Sequence, residues 1–273
     1  MKNWCKKLDL KKKATQIRID MLKMLNLAGS GHTAGPLGMV EIFTYLYFKF
    51  LKINPKKPLD KNRDYLILSN GHICPIQYTV LAHRGFFKIS ELNTLRKLGS
   101  RLQGHPHRQV LPGIETTSGP LGSGISQAAG IALGLKLDNK QNKVVCLTSD
   151  GEHEEGNTWE GVMLASKYKL NNLIVIIDRN NIQIDGPTEE VMPLNSLAKK
   201  YEAFNFNVIE IDGNNFTQIK NSLDKAHKTK SKPTVIIANT VPGKGISFME
   251  NDYTWHGKVP NNEELKLALE ELK

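Results

Sequence analysis

Residues 143–182 read KVVCLTSDGEHEEGNTWEGVMLASKYKLNNLIVIIDRNNI, with an apolar run at each end and a mixed stretch between them. The apolar runs, Lys143 to Thr148 and Leu173 to Ile177, are rich in β-branched residues and predict two strands. Thr158 to Tyr168, which lies between them, predicts a helix. The three elements form a βαβ unit, and the second strand is apolar enough to be covered on both faces, as in a parallel sheet.

The alternation of strands and helices continues on both sides of this unit. Further strands are predicted at Tyr65 to Leu68, Val208 to Ile211 and Thr234 to Ala238, and helices at about Ile17 to Ala28, Leu37 to Leu51, Gly122 to Gly130, Phe216 to His227 and, as a short tail, Asn261 to Lys273. Gly29 to Pro36 is predicted to be a loop, and the Gly, Pro and His-rich residues 99–119 a long irregular segment, which usually has a function. The predicted fold class is α/β, a mostly parallel sheet with helices on both faces, in one domain over residues 1–273.

The sequence has a net charge of +10, which in principle suits a nucleic-acid surface. Its lysine groups, at Lys11 to Lys13, Lys56 to Lys57 and Lys199 to Lys200, are dispersed and are not interleaved with exposed aromatics as single-strand binders require. We therefore expect no nucleic-acid partner. A cationic surface also suits small phosphorylated substrates.

Membrane insertion and secretion are not indicated. No apolar run reaches the ~18 residues of a membrane span, and Met1 to Lys7 contains no apolar stretch of the signal-peptide type. The three cysteines, Cys5, Cys74 and Cys146, have no C-x-x-C spacing, so neither a disulfide framework nor a zinc site is predicted. Cys146 lies in an apolar run and is expected in the core. We expect a cytoplasmic protein with no membrane partner.

Polar residues follow both strands of the βαβ unit. Ser149-Asp150-Gly151 comes after the first strand, and Asn180 comes after the second. A right-handed crossover brings both strand ends to one edge of the sheet, so we expect Asp150 and Asn180 to face one point. Magnesium takes about six oxygen ligands and few of them from protein, so a carboxylate, an amide oxygen and a loop carbonyl suit a metal that holds a diphosphate. Taken alone, Asp-Gly after a strand is more typical of an ordinary turn, and the downstream Asn180-x-Ile182 is what favours the metal site.

Further motifs resemble, in order and approximate spacing, those of transketolases, specifically the N-terminal half that binds the diphosphate of thiamine diphosphate. The motifs are rich in glycine and are Ser30-Gly31-His32, Leu68-Ser69-Asn70-Gly71-His72, Gly104-His105-Pro106, Gly119-Pro120-Leu121-Gly122, Asp150-Gly151 through Glu155-Gly156, Asp185-Gly186 and Trp255-His256-Gly257. The resemblance covers about Ile17 to Val259. It implies the thiamine diphosphate-binding fold, with thiamine diphosphate and Mg²⁺ or another divalent cation as cofactors. Ser149 departs from the family pattern, which has glycine there, and this puts the cofactor geometry in question.

The resemblance also implies roles for individual residues. It implies metal ligands at Asp150, Asn180 and the Ile182 carbonyl, and cofactor contacts at His72, Gly119, Pro120, Leu121, Gly151, Glu155, Asn180 and His256. His32 and His256 would flank the substrate carbonyl and hydroxyl in catalysis, and His105 would hold the hydroxyl on the first donor carbon. Glu155 resembles a glutamate at the family's subunit interface. Taken singly, a histidine of this kind is more often an ordinary loop residue. Gly119 to Leu121 could equally be described as a tight turn before the next helix. Glu155 is as readily a solvated glutamate at a helix start.

A full-length transketolase continues into pyrimidine-binding and C-terminal domains, whereas this chain stops at Lys273. The resemblance therefore implies the N-terminal subunit of a split transketolase, inactive alone and active with a separate C-terminal subunit in a heterotetramer. The implied reaction transfers a two-carbon ketol unit from a ketose phosphate to an aldose phosphate, as in the pentose phosphate pathway. The particular sugar phosphates are not indicated, because the phosphate grip lies mainly in the other half.

Two alternatives stay open. A deoxyxylulose-phosphate synthase shares the cofactor and a related domain, but Gly104-His105-Pro106 and the run from Leu111 to Gly122 match transketolases better. A cofactor-binding or regulatory subunit without catalysis is the other alternative, and it would not need four histidines placed in motifs.

Overall fold

The structure, a computed structural model, describes residues 8–273; Met1–Lys7, which include Cys5 and the start of the predicted domain, lie outside the described residues. The strands are β1 Tyr65–Leu68, β2 Val144–Ser149, β3 Leu173–Arg179, β4 Ile182–Gln183, β5 Gly186–Pro187, β6 Asn207–Asp212 and β7 Thr234–Asn239. Five of them form a parallel sheet in the order β1-β2-β3-β7-β6. Strands β4 and β5 form a separate antiparallel pair directly after β3. The predicted α/β class with a mostly parallel sheet is confirmed.

The helices surround this sheet. They are α1 Leu10–Ala28, α2 Ala34–Gly38, α3 Val40–Tyr45, α4 Cys74–Arg84, α5 Gly124–Leu137, α6 Gly156–Lys167, α7 Thr188–Val191, α8 Leu197–Ala203, α9 Phe216–Lys228 and α10 Asn262–Glu271, with a π-helix at Leu46–Phe50 and 3₁₀ turns at Gly71–Ile73, Ile89–Thr94, Gly151–Glu154 and Tyr253–Trp255. No helix among residues 8–273 is long and apolar enough to cross a membrane.

Local capping explains where the terminal helices begin and end. The Asp9 side chain accepts hydrogen bonds from the first turn of α1, and α1 ends at Gly29, whose φ of 65° is the left-handed conformation that glycine adopts at little cost. Helix α10 begins with a capping box, in which the Asn261 side chain accepts from the Glu264 N–H and the Glu264 carboxylate accepts from the Asn261 N–H.

Two hydrophobic cores lie on opposite faces of the sheet, because successive side chains of a strand point to opposite sides. In β2, Val145 and Leu147 belong to the core that α1, α3, α4 and α9 cover. Val144 and Cys146 belong to the other core, under α5, α6 and α8. The buried position predicted for Cys146 and the placement of helices on both faces are thus confirmed.

The first half of the chain differs from the prediction in three ways. The loop predicted up to Pro36 ends earlier, since α2 begins at Ala34. The predicted helix from Leu37 to Leu51 is divided among α2, α3 and the π-helix, with Met39 between α2 and α3 and the change to π-helix at Leu46. A Cβ on Gly38 would lie 2.9 Å from the Val241 carbonyl oxygen, so this tertiary contact requires glycine inside the segment. Helix α4 was not predicted, because nine of its eleven residues are buried and no polar face marks a helical period.

Smaller differences concern the ends of the remaining elements. The predicted Gly122 to Gly130 helix begins at Gly124 and continues to Leu137, and the short helix α8 was not predicted. Strand β3 continues two residues further than predicted, to Arg179, so Asn180 is the first residue beyond the strand.

Candidate active site

The carboxyl ends of β1, β2 and β3 open into one cavity of about 450 Å³, which we call the site cavity. Of the residues predicted to act at a site, those that line it are His32, His72, His105, Gly119, Leu121, Asp150, Gly151, Glu155, Asn180, Ile182 and His256. Pro120 is exposed and does not line the cavity, although both of its neighbours, Gly119 and Leu121, do. The fold therefore brings residues from widely separated motifs to the edge of the sheet at which ligands of open α/β folds bind.

Asp150 is the acidic centre of the cavity. Its side chain is 1% exposed, and its Oδ1 accepts from the Gly151 N–H at 2.8 Å. Its Oδ2 accepts from the Asn181 N–H at 2.7 Å and from Arg179 Nη1 at 3.2 Å. Burial raises the pKa of the Asp150 carboxyl above its ordinary value, although the charge of Arg179 and the two backbone donors oppose the rise. Oδ1 retains one lone pair that no donor among residues 8–273 occupies.

Asn180 is held in one orientation by its neighbours. Its Nδ2 donates to Asp178 Oδ2 at 2.8 Å, and its Oδ1 accepts from the Ile182 N–H at 3.0 Å. Asp178 is fully buried and also accepts from the Thr240 hydroxyl, and burial raises the pKa of Asp178 to about 7. The amide oxygen of Asn180 therefore keeps one lone pair for a ligand, and its nitrogen is committed to Asp178.

These remaining acceptors fit a small divalent cation. No group of three or more His, Cys, Asp or Glu suited to a metal occurs in the part of the chain that the structure describes, so a cation here would take one carboxylate, one amide oxygen and a backbone carbonyl. Magnesium accepts such a sparse set of protein ligands, because phosphate and water oxygens supply the others.

Three imidazoles form a triangle beside this acidic centre. The ring centroids of His32, His72 and His256 lie 5.0 to 5.4 Å apart. The three come from the loop after α1, the 3₁₀ turn after β1 and the residue after the Tyr253–Trp255 turn. Nδ1 of His32 is buried and has no hydrogen-bond partner among the described residues.

Burial and mutual repulsion keep these rings neutral. Burial lowers the pKa of His32 to about 4, and the charges of His256, Arg96 and His105 contribute to the fall. The pKa of His72 falls well below its ordinary value for the same reason, burial first and the neighbouring histidines next, and burial lowers the pKa of His256. A neutral imidazole offers one donor and one acceptor, so the triangle can both give and take a proton at a bound carbonyl or hydroxyl.

The irregular segment predicted between residues 99 and 119 supplies the opposite wall. His105 is exposed, and a Cβ on Gly119 would lie 3.9 Å from its ring. Gly119 has a φ of 151°, a conformation that other residues rarely adopt, so glycine is required there. Arg96, which sequence reasoning missed, is the cation whose charge adds to burial in lowering the pKa of His105. It follows an ordinary 3₁₀ turn, and no motif in the sequence distinguishes it from other arginines.

Six further residues line the cavity that sequence reasoning did not assign to it. They are Ser149, Glu152, Glu154, Gln183, Ile184 and Asp185. Ser149, the departure from the glycine of the family pattern, is buried as the last residue of β2, and its carbonyl accepts from His153 Nδ1 at 2.8 Å. The strand pairing of β2 continues through Ser149, so the serine is accommodated without a break in the sheet. Gln183 ends β4, and Ile184 and Asp185 form the turn that leads into β5; the sequence marked this hairpin only by Asp185-Gly186.

Acid is expected to destabilise the fold through His153, which packs behind Ser149. Its Nε2 accepts from the Tyr201 hydroxyl at 2.8 Å, and burial lowers the pKa of His153 from 6.5 to about 4. Between pH 6.5 and 4 the unfolded chain therefore binds a proton that the folded chain does not, and the free energy of unfolding falls as the pH is lowered, by up to ~3 kcal/mol. His32 contributes with the same sign.

The measurement is urea unfolding of the metal-free chain across this pH window. His153→Gln keeps a donor and an acceptor but does not titrate, so we expect its free energy of unfolding to depend on pH with a slope smaller by as much as one proton. An identical slope in the wild-type chain and the variant would contradict the assignment.

Comparison with known proteins agrees with this geometry. Residues 10–272 match the family described as "Transketolase, thiamine diphosphate binding domain". One of the subunits of the apulose-4-phosphate transketolase of Actinobacillus succinogenes is 41% identical over 266 residues, which are 97% of this chain and 96% of the relative. One of the subunits of the 6-deoxy-6-sulfo-D-fructose transketolase of Clostridium sp. (strain MSTE9) is 39% identical over 97% of both chains.

A solved structure of a longer enzyme shows the same fold. The transketolase of Leishmania mexicana superposes with a TM-score of 0.91 at 32% identity; the match covers 97% of this chain but 41% of that enzyme. The chain thus spans about two fifths of that transketolase, and nearly the whole length of the separate subunits. Together with the family match, these likenesses establish that the chain belongs to the family of transketolase thiamine diphosphate-binding domains.

Proposed function

We propose that this chain is the cofactor-binding subunit of a split transketolase, which transfers a two-carbon ketol unit from a ketose phosphate to an aldose phosphate. One observation carries the proposal: Asp150, Asn180 and the histidine triangle line one cavity. The proposal is further supported by the relatives that match along nearly their whole length, since both are named as transketolase subunits.

The residues of the acidic centre would hold the metal and the diphosphate. We assign Mg²⁺ to the remaining lone pairs of Asp150 and Asn180 and to the Ile182 carbonyl, with other divalent cations as substitutes. His72 and His256 would donate to the diphosphate oxygens, and Gly151 would let the backbone pass close to them. Gly119, Pro120 and Leu121 would lie along the cofactor rings, and Glu155 would lie at the partner interface.

The remaining histidines would serve the sugars. Bound thiamine diphosphate supplies a carbanion nucleophile and an electron sink. His32 and His256, neutral at pH 7, would exchange protons with the substrate carbonyl and hydroxyl, and His105 would hold the hydroxyl on the first donor carbon. None of these side chains has to act as a nucleophile.

A second polypeptide would complete the site. The relatives that match over their full length are named as subunits, and the longer transketolase has more than half of its length beyond the match. We therefore propose a partner that carries the pyrimidine-binding half and a heterotetramer of two copies of each chain. The cytoplasmic location, the pentose phosphate pathway and a single domain over residues 1–273 stay predictions; the packing of α10 on α1 supports the last.

Activity is expected only after the two chains are mixed. The purified chain alone should show no ketol transfer with thiamine diphosphate and Mg²⁺, and adding the protein that copurifies with it should restore transfer. Because the two subunit relatives are named for different ketoses, the assay should offer several ketose and aldose phosphates. Transfer by the isolated chain would overturn the split-enzyme proposal, and release of carbon dioxide from pyruvate would favour the deoxyxylulose-phosphate synthase alternative, which the transketolase relatives do not favour.

A further inference from the structure

The segment Gly119 to Leu121, which we call the wall, lies between two turns that end neighbouring strands, and its first and last residues line the site cavity. On the β1 side, the Ser118 hydroxyl donates to the Leu68 carbonyl at 2.5 Å. On the same side, the Gly124 N–H donates to the Ser69 hydroxyl at 2.9 Å. Within the wall, Pro120 has no N–H to donate, and its carbonyl accepts from the nearby Ser123 hydroxyl at 3.0 Å. The hydrogen bonds described here that tie the wall to the strands are therefore made by the residues that flank it.

The Glu152 carboxylate joins these anchors to β2. It is 1% exposed, and its Oε1 accepts from the Gly122 N–H at 2.7 Å and from the Ser69 hydroxyl. Its Oε2 accepts from the Thr148 hydroxyl and from the Ser149 N–H at 3.3 Å. Four donors from three separate segments thus converge on one carboxylate, and none of the four is a lysine or an arginine.

Close packing against Glu155 and Ser69 also restricts the backbone at Gly122 and Gly124. A Cβ on Gly122 would lie 2.6 Å from the Cβ of Glu155, and a Cβ on Gly124 would collide with the Ser69 side chain. The backbone at Gly122 therefore cannot move toward α6, and the bond to Glu152 keeps it from moving away. Gly122 also has a φ of 81°, which allows the sharp turn between the wall and α5.

We propose that Glu152 is a positioning residue, whose carboxylate holds the Gly119 to Leu121 wall in place through Gly122 and Ser69. The inference rests on the proposed function in one respect, that this wall contacts the thiamine diphosphate rings. The position of the wall itself is a property of the chain without cofactor, so it can be measured separately.

The first test follows amide hydrogen exchange at Gly122 and Gly124 in the full chain without cofactor. Glu152→Ala is expected to speed exchange at both amides by about tenfold or more, since the lost hydrogen bond contributes ~1.4 kcal/mol. Glu152→Gln keeps an acceptor for Gly122 and Ser69, and the Thr148 hydroxyl can turn to accept from the new amide. Only the long bond from the Ser149 N–H, at 3.3 Å, is lost, so protection at Gly122 and Gly124 should stay within about threefold of wild type.

The matched control is Glu41→Ala. Glu41 is also buried, and its Oε2 accepts from Arg18 Nη2 at 2.8 Å and from Asn214 Nδ2 at 3.1 Å, but it does not line the site cavity. It should lower the melting temperature without selectively exposing Gly122 and Gly124. If Glu152→Ala does not fold, Ser69→Ala removes two of the same bonds and should expose Gly124.

The second test measures the dissociation constant of thiamine diphosphate with Mg²⁺ in the assembled complex. Glu152→Ala should raise it about tenfold, Glu152→Gln should restore it, and the KM for the sugar donor should change little. Unchanged protection in Glu152→Ala, or an equal loss in Glu41→Ala, would overturn the inference. Selective loss of protection together with no cofactor binding by the wild-type complex would instead reject the proposed function and leave the anchoring role of Glu152 intact.

Discussion

Asp150→Asn is expected to weaken thiamine diphosphate binding in the presence of Mg²⁺ by at least ~100-fold. Asp150 is the one carboxylate among the proposed metal ligands, and the change removes its charge while keeping its shape. The new amide would also turn N–H groups toward donors from Gly151, Asn181 and Arg179. The measurement is calorimetric titration of the assembled complex with the cofactor, with and without a chelator.

Asp20→Asn provides the matched control for this experiment. Asp20 accepts from His83 Nε2 at 2.8 Å, away from the site cavity, so the variant tests the loss of a paired carboxylate without touching the proposed metal ligands. It should bind the cofactor as the wild type does. Equal affinity in Asp150→Asn and wild type would reject the metal assignment, provided that thermal unfolding shows both proteins to be folded.

His32→Ala is expected to lower kcat by about 100-fold or more, the usual contribution of a positioned proton donor or acceptor. Its buried Nδ1 has no partner among the described residues, and its ring lies against those of His72 and His256. Because His32 is assigned to the sugar rather than to the diphosphate, the dissociation constant of the cofactor should change by less than about threefold, a loss smaller than one hydrogen bond. Steady-state kinetics and cofactor titration of the same complex separate the two effects.

His107→Ala is the control for this second experiment, because His107 is an exposed histidine that does not line the cavity. It should leave kcat unchanged. His72→Ala, by contrast, should weaken cofactor binding first. If His32→Ala keeps kcat near that of the wild type, His32 has no part in proton transfer, and the catalytic role falls to His256 and His105.

The sheet could be predicted from the sequence because its strands are short runs rich in apolar residues, and four of the five are largely buried. The βαβ unit from β2 to β3 is the clearest case, since both strands are buried on both faces. Helix α4 was not predicted because it is buried on nearly all sides, so its sequence lacks the polar face by which a helical period is recognised. The interruption at Met39 was not predicted either; Gly38, which ends α2 beside it, packs against Val241, a residue distant in sequence.

Some residues of the site cavity could likewise be predicted from the sequence, and others could not. The four motif histidines, together with Gly119 and Gly151, could be located because their types and order carry the resemblance, and they line one cavity. Glu152 could not, because it is one of three glutamates in Glu152 to Glu155, and only the folded chain shows that it is buried whereas Glu154 and Glu155 are exposed. Gln183 and Ile184 of the β4–β5 hairpin likewise line the cavity only because of the tertiary structure. The same holds for Arg96, whose charge helps to lower the pKa of His32.

The histidine triangle joins parts of the chain that leave the ribosome at very different times. His32 and His72 are synthesised before β2, whereas His256 follows β7, the last strand of the sheet in the sequence. A nascent chain can therefore assemble the five strands of its sheet while the third ring of the triangle is still missing.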